Sequence, residues 1–357
     1  MKTIKTAILG TWGKAEKFAK LINDHEGSSV EAIWDIDFEK AKEAAEMIGC
    51  RAEKDVDRIF EDPEIDGVLV ITENYLHAEL MIRAAEAGKH IFVEKPMCTS
   101  LQDAYKVRDI VNKTGVKFFM SDPFVDTSTL YVKNILNEGV MGKPVSARIR
   151  LCEKFPIIHD FEKVAELTKN AGGGMMSDTG GHALHIVDFL FGRPKKVFAA
   201  FSYINEEAVE CGKEEMVSVV LQYEDGLLVN IDCSSSAPNF TNEIEITGTD
   251  GVIIDKGTMT HCHNVRYIKV SEEHGMPFQA AAGEAAWTKA SEADFAPDPD
   301  RHIIYWIRLI KEDISTEEQE EDIRGLKGLG INRAVALMEV REAIYESARQ
   351  AKFVELD

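Results

Sequence analysis

The 357-residue chain has no run of about 18 or more apolar residues, so it carries no segment built to span a bilayer as a helix. Cations are scarce: 41 Lys and Arg stand against 62 Asp and Glu, for a formal net charge of −21. A phosphate backbone or an anionic membrane attracts clustered Lys and Arg, so this balance disfavours both as partners and fits a small neutral or hydroxylated ligand better. The six cysteines, Cys50, Cys98, Cys152, Cys211, Cys233 and Cys262, form no CxxC pair. A chain this long needs no disulfide framework, and reduced thiols in a cytoplasm are the reading. Internal repeats and low-complexity linkers are missing. The apolar patch in the opening MKTIKTAILG is too short for a signal peptide and runs straight into a glycine turn, so it reads as a first strand.

What is present is ordinary globular material, 45% hydrophobic and 29% charged, long enough for roughly two domains. Up to about residue 120, short β-rich runs (Ile4 to Leu9, Val30 to Trp34, Val68 to Ile71, Ile91 to Val93, Lys117 to Met120) alternate with helical patterns. That alternation is the signature of βαβ units and a parallel sheet covered on both faces. Ala41, Ala44, Ala45 and Ile48 recur at helix spacing and end at Gly49, a C-cap position, and a second helix ends the same way at Gly88. After about residue 122 the pattern shifts to longer alternating strands, as in Val145, Ala147, Ile149 and Leu151, with more near 197–203, 217–223, 227–233 and 243–247 and a closing helix from about 332 to 350. The expected fold is therefore α/β: an N-terminal doubly wound Rossmann domain over 1–122, then an α+β domain over 123–357 with a large mixed, mainly antiparallel sheet. The final helix is free to pack back on the first domain.

The first strand leads into Gly10-Thr11-Trp12-Gly13-Lys14-Ala15 and a helix with apolar Ala15, Phe18, Ala19 and Ile22. Backbone N–H groups at such a helix start, with its positive dipole end, form a pyrophosphate site. Gly10 and Ala15 match the first and third positions of G-x-G-x-x-G/A, but Trp12 stands where the second glycine lets the pyrophosphate approach. By itself this turn equally well binds nothing. The second strand ends at Asp35-Ile36-Asp37, and a carboxylate roughly 20 to 25 residues after the turn accepts from the adenosine ribose and repels a 2′-phosphate, favouring NAD over NADP. Either aspartate could instead simply cap the next helix. Asp35 is assigned the ribose and Asp37 the cap.

Two further segments carry chemistry. Thr72-Glu73-Asn74-Tyr75-Leu76-His77 and Glu94-Lys95-Pro96 both follow strands at the carboxyl edge, where ligands of doubly wound folds bind, and the peptide before Pro96 is a candidate for cis. Far along the chain, Gly172-Gly173-Gly174-Met175-Met176-Ser177-Asp178-Thr179-Gly180-Gly181-His182 reads as a glycine loop entering a helix. Asp178 and His182, four apart, share a helix face, so the carboxylate could orient an imidazole serving as general base; His185 lies near that face.

With these motifs the chain resembles the Gfo/Idh/MocA family of sugar and cyclitol dehydrogenases along nearly its whole length. Gly139-Val140-Met141-Gly142-Lys143-Pro144 and Gly248-Thr249-Asp250-Gly251 are similar to family turns. The resemblance implies Lys95, Asp178 and His182 as the catalytic set, with Gly10, Thr11, Trp12, Gly13, Lys14, Ala15, Asp35, Thr72, Glu73, Asn74, His77, Glu94 and Lys95 around the dinucleotide. It also implies a homodimer or homotetramer formed by sheet packing. The chain departs from the family at Trp12, at His185 where members often have Asp, and at Ser121-Asp122-Pro123-Phe124 where they often carry Asn-Arg. Asp122, His159 and His185 are carried as candidate contacts to a small polyhydroxylated substrate. His261-Cys262-His263 supplies too few ligands for a structural zinc, so no metal is expected. Arg148 and Arg150 share one sheet face, lining a crevice or meeting solvent, and Trp287 and Phe278 lie in a lid-like, Ala-rich stretch. Three functions stay open: an NAD-dependent dehydrogenase of CH–OH groups, a redox-neutral enzyme that retains NAD, and a non-catalytic dinucleotide-binding regulator.

Overall fold

A computed structural model of the chain describes residues 3–11, 13–121, 127–154, 172–257, 264–269, 287–291, 301–315, 318 and 330–356. These fall into two compact units, one formed by 1–122, 170–172 and 299–338, the other by 123–169, 173–298 and 339–357. No helix among the described residues is long and apolar enough to cross a membrane.

The first unit is a six-stranded sheet of β1 (Ile4–Leu9), β2 (Ser28–Trp34), β3 (Arg51–Glu53), β4 (Gly67–Val70), β5 (His90–Glu94) and β6 (Phe118–Ser121). All its pairings are parallel, in the order β3-β2-β1-β4-β5-β6, the Rossmann order. Its helices are α1 (Ala15–Asp24), α2 (Phe38–Ile48), α3 (Asp57–Glu61), α4 (His77–Glu86) and α5 (Leu101–Thr114). Helix α1 buries Ala15, Phe18, Ala19 and Ile22, the four positions its 3.6-residue pattern marks as one stripe. Helix α2 starts where the Asp37 side chain accepts from the Glu39 N–H and stops at Gly49, whose φ of 81° is cheap only without a Cβ.

A late helix, Arg301–Lys311, joins this unit and packs on the first sheet. Its Trp306 is fully buried, with the Phe92 ring 5.7 Å away; Phe92 in turn touches Phe18 and Phe119. Gly67 makes room for that indole, since a Cβ there would stand 2.8 Å from a Trp306 ring carbon and 3.0 Å from the His90 carbonyl.

In the second unit, helix α6 (Thr127–Asn137) precedes β7 (Pro144–Lys154), followed by α7 (Thr179–Phe191), β8 (Lys196–Ser202), α8 (Glu206–Cys211), β9 (Met216–Gln222), β10 (Leu228–Ser234), β11 (Ser236–Gly248), β12 (Gly251–Gly257), β13 (Arg266–Lys269) and β14 (Thr288–Lys289). The late helix Arg301–Lys311 is α9, and α10 (Ile331–Gln350) and β15 (Val354–Glu355) close the chain. Nine strands form one sheet, β14-β13-β12-β11-β7-β10-β9-β8-β15, antiparallel except where β7 lies parallel to β10. Ala147, Ile149, Leu151, Val229, Ile231, Val217, Val219, Ile244 and Ile246 are buried on one face, and α7 packs against β7 and β10.

The opposite face carries Arg148 and Arg150. Arg148 donates to Asp232 from Nη2 at 2.8 Å and Nε at 3.1 Å, and the register sets Glu245 across from Arg148 and Glu243 across from Arg150. Arg148, Arg150 and Asp232, with Cys152, Ile204, Met216, Cys233 and Ser234, line a concavity of about 370 Å³. The two turns singled out in the sequence meet: the Asp250 and Thr249 N–H groups donate to the Met141 and Lys143 carbonyls at 2.9 Å each, and a Cβ on Gly248 would stand 2.1 Å from the Met141 oxygen. Phe278 and His261 to His263 lie outside the described residues, while Trp287 stacks under the Arg266 guanidinium, 4.7 Å from its ring centre.

Candidate active site

The turn after β1 is fixed by Gly10, whose φ is 103° and whose absent Cβ would collide with the Ile71 carbonyl oxygen at 2.6 Å. The chain therefore passes tightly over the end of β4, and only glycine tolerates both the angle and the approach. Thr11 follows, and its N–H and Oγ1 donate to Asp35 Oδ2 at 2.8 and 2.7 Å. The Asp37 N–H donates to Asp35 Oδ1 at 2.9 Å. Asp35 thus locks the end of β2 onto the glycine turn while remaining only half-buried. Asp37 is the cap of α2.

Helix α1 begins at Lys14-Ala15 with no side-chain cap, and a Cβ on Gly13 would meet nothing within 4 Å. Leading N–H groups that the Lys14 side chain does not cap, next to open space and a carboxylate, are the donor and acceptor set that a dinucleotide's pyrophosphate and ribose require. The residues present fit that group. Trp12 lies outside the described residues. Lys14 Nζ pairs with Glu94 Oε2 at 3.1 Å, so the turn is also tied to the end of β5.

The segments after β4 and β5 are joined by an imidazole. His77, at the start of α4 and 1% exposed, has Nδ1 2.9 Å from the Pro96 carbonyl and Nε2 3.1 Å from the Thr72 carbonyl. Burial pushes its pKa below the ordinary histidine value, and the surrounding carbonyls pull in the opposite direction. Both ring nitrogens face backbone, so His77 acts on a ligand through the two segments it staples. The Lys95–Pro96 peptide is cis, and Lys95 is half-buried just past β5. Glu73 precedes the short 3₁₀ turn Asn74–Leu76.

In the second unit Asp178 occupies the N-cap position of α7, exposed, with no capping bond from its side chain. His182, one turn in, is buried at 7% exposure, as is His185 a further three residues along. The loop leading there is pinned by residues that no local pattern reveals. Glu214, 3% exposed, accepts from Met176 N–H at 2.9 Å, Gly174 N–H at 3.1 Å and the Tyr345 hydroxyl at 2.6 Å. Glu214 and Tyr345 carried no signal before the fold was known, since Glu214 sits between a helix and a strand and Tyr345 inside a long helix. Asp122 and His159 lie outside the described residues, and among the described residues no cluster of three or more His, Cys, Asp or Glu is placed to hold a metal.

Residues 4–121 match a family described as "Oxidoreductase family, NAD-binding Rossmann fold" and residues 129–254 match the "GFO/IDH/MocA C-terminal domain". The chain is 30% identical over 281 residues to 2,7-anhydro-N-acetylneuraminate hydratase of Mediterraneibacter gnavus, covering 77% of this chain and 72% of that protein. It is 30% identical over 239 residues to myo-inositol 2-dehydrogenase of Thermotoga maritima, covering 66% and 69%. Among solved structures, aldose-aldose oxidoreductase from Caulobacter crescentus, complexed with glycerol, shares the fold at a TM-score of 0.81 with 24% identity, covering 99% of this chain and 100% of that one.

Proposed function

The chain belongs to the Gfo/Idh/MocA family of NAD-binding oxidoreductases, and from that premise we propose that it reversibly oxidises a secondary alcohol of a sugar, cyclitol or sugar acid. NAD, when bound, supplies the hydride acceptor. Gly10, Thr11, Gly13, Lys14 and Ala15 hold the pyrophosphate end, Asp35 the adenosine ribose, and the segments around Thr72 to Asn74 and Glu94 to Lys95 flank the nicotinamide half. His182 takes the proton of the substrate hydroxyl as hydride leaves the same carbon, Asp178 orients the imidazole and balances its charge, and the Lys95 ammonium stabilises the developing oxyanion. The observation that carries the reading is the start of α7, where a carboxylate stands one turn before a buried imidazole. A second copy of the chain is proposed to cover the outer face of the nine-stranded sheet, where Met216 and Leu228 are exposed.

A panel of polyols, sugars and sugar acids, each supplied with NAD, tests the reaction by the rise of NADH absorbance. Catalytic NADH formation with at least one member is expected, and none with any member refutes the assignment. A second reading, in which the chain retains NAD and completes a redox-neutral conversion, has slender support in the relative named as a hydratase. Product formation without accumulating NADH would select that reading.

A further inference from the structure

We propose that Glu214 and Tyr345 are positioning residues for the acid/base pair on α7, acting by clamping the glycine loop that precedes it; this rests on the assignment of His182 as the base. Three consecutive loop residues are held by one buried glutamate. Gly174 and Met176 donate their N–H groups to its carboxylate, and Met175 between them donates to its backbone carbonyl at 2.9 Å. The carboxylate thus takes the N–H groups on either side of Met175 while the Glu214 backbone takes the one between, so side chain and main chain of one residue grip the loop together.

Tyr345 completes the clamp from α10. Its hydroxyl donates to Glu214 Oε1 at 2.6 Å and lies 3.1 Å from Ser177 Oγ, adjacent to Asp178. The loop passes so close that a Cβ on Gly173 would stand 1.9 Å from the Tyr345 hydroxyl and one on Gly174 would stand 2.6 Å from the Glu214 carbonyl. Glycines are therefore required at 173 and 174 by the clamp itself. Burial, foremost, and the neighbouring carboxylate push the Tyr345 phenol well above its usual pKa, so it remains a donor. The loop is thus fixed at 174, 175, 176 and 177 immediately before Asp178, and the direction in which α7 presents Asp178 and His182 is set by residues about 40 and 170 positions away in sequence.

Displacing a reacting group by about 1 Å costs about 100-fold in rate. Glu214→Gln places an amide against donors, and Tyr345→Phe removes only the hydroxyl, keeping the ring's edge contact with Phe201. Each variant is expected to lower kcat about 10- to 100-fold with the KM for substrate and the Kd for NAD within about twofold of wild type. The double variant is expected to be no worse than the weaker single, because both act through one loop. The acid limb of the kcat profile against pH is expected to move, which a purely structural role would leave in place. Amide hydrogen exchange over 174–177 is expected to accelerate in both.

The outcomes separate. Unchanged kcat in Tyr345→Phe, in a protein that melts as wild type does, overturns the positioning role, as does unchanged exchange over the loop. Should Glu214→Gln fail to fold, Tyr345→Phe decides alone. If the wild-type chain forms no NADH with any polyol, the reaction assigned to it fails, while the exchange measurement still reads the clamp.

Discussion

Replacing Asp35 by alanine gives a number that follows from counting lone pairs. An ionised carboxylate offers about four acceptor positions, and three are used within the protein: Thr11 N–H and Oγ1 on Oδ2, and Asp37 N–H on Oδ1. One position on Oδ1 is left for a ribose hydroxyl. A hydrogen bond to a charged group contributes about 1.5–3 kcal/mol, so its loss weakens NAD binding about 10- to 150-fold. The same substitution removes the negative charge that repels a 2′-phosphate, so NADP loses less or gains. The NAD-to-NADP affinity ratio is therefore expected to fall by at least about 10-fold. Asp35 is only half-buried, so water replaces it as the partner of the freed donors and the loss of folding stability from the three bonds stays within about 1–3 kcal/mol. Fluorescence titration of both dinucleotides against wild type and Asp35→Ala reads the ratio. A ratio changed by less than about threefold would show that the carboxylate serves only to fasten the glycine turn.

Gly67→Ala drives a methyl into the Trp306 ring and the His90 carbonyl and is expected to destabilise the chain by about 1–3 kcal/mol in urea unfolding; a neutral result would mean that α9 does not press on β4. His77 has a folded-state pKa below the ordinary value of about 6.5, so the unfolded chain takes up a proton that the folded chain resists. Its stabilising effect is present above about pH 6.5 and is lost as pH falls through the folded value. His77→Gln is accordingly expected to flatten the decline of stability between about pH 7 and about pH 5, and an unchanged slope in thermal melts would refute the sign of the shift.

The parts of the fold legible in the sequence are those set by near neighbours. The β1 bounds, the buried stripe of α1, the Asp37 cap and the Gly49 stop are all decided within a turn or two of chain, by periodicity, a short polar side chain or a missing Cβ. What was illegible depends on distant partners. Helix α9 reaches the first sheet across some 180 residues from β6, and nothing in Arg301–Lys311 itself names the strands that will bury Trp306. The Arg148 face depends on β7 lying parallel to β10, a register that only the completed sheet sets. The candidate site divides the same way: Gly10, Asp35, Asp178 and His182 stand out by spacing. Glu214 and Tyr345, which hold the loop before the helix that bears His182, do not.

The assignment of His182 as the base is tested most directly by His182→Ala, assayed with the substrate found in the polyol panel. The variant is expected to keep the wild-type Kd for NAD while kcat falls about 100- to 10,000-fold, the usual contribution of a positioned general base. Turnover equal to wild type would contradict the account.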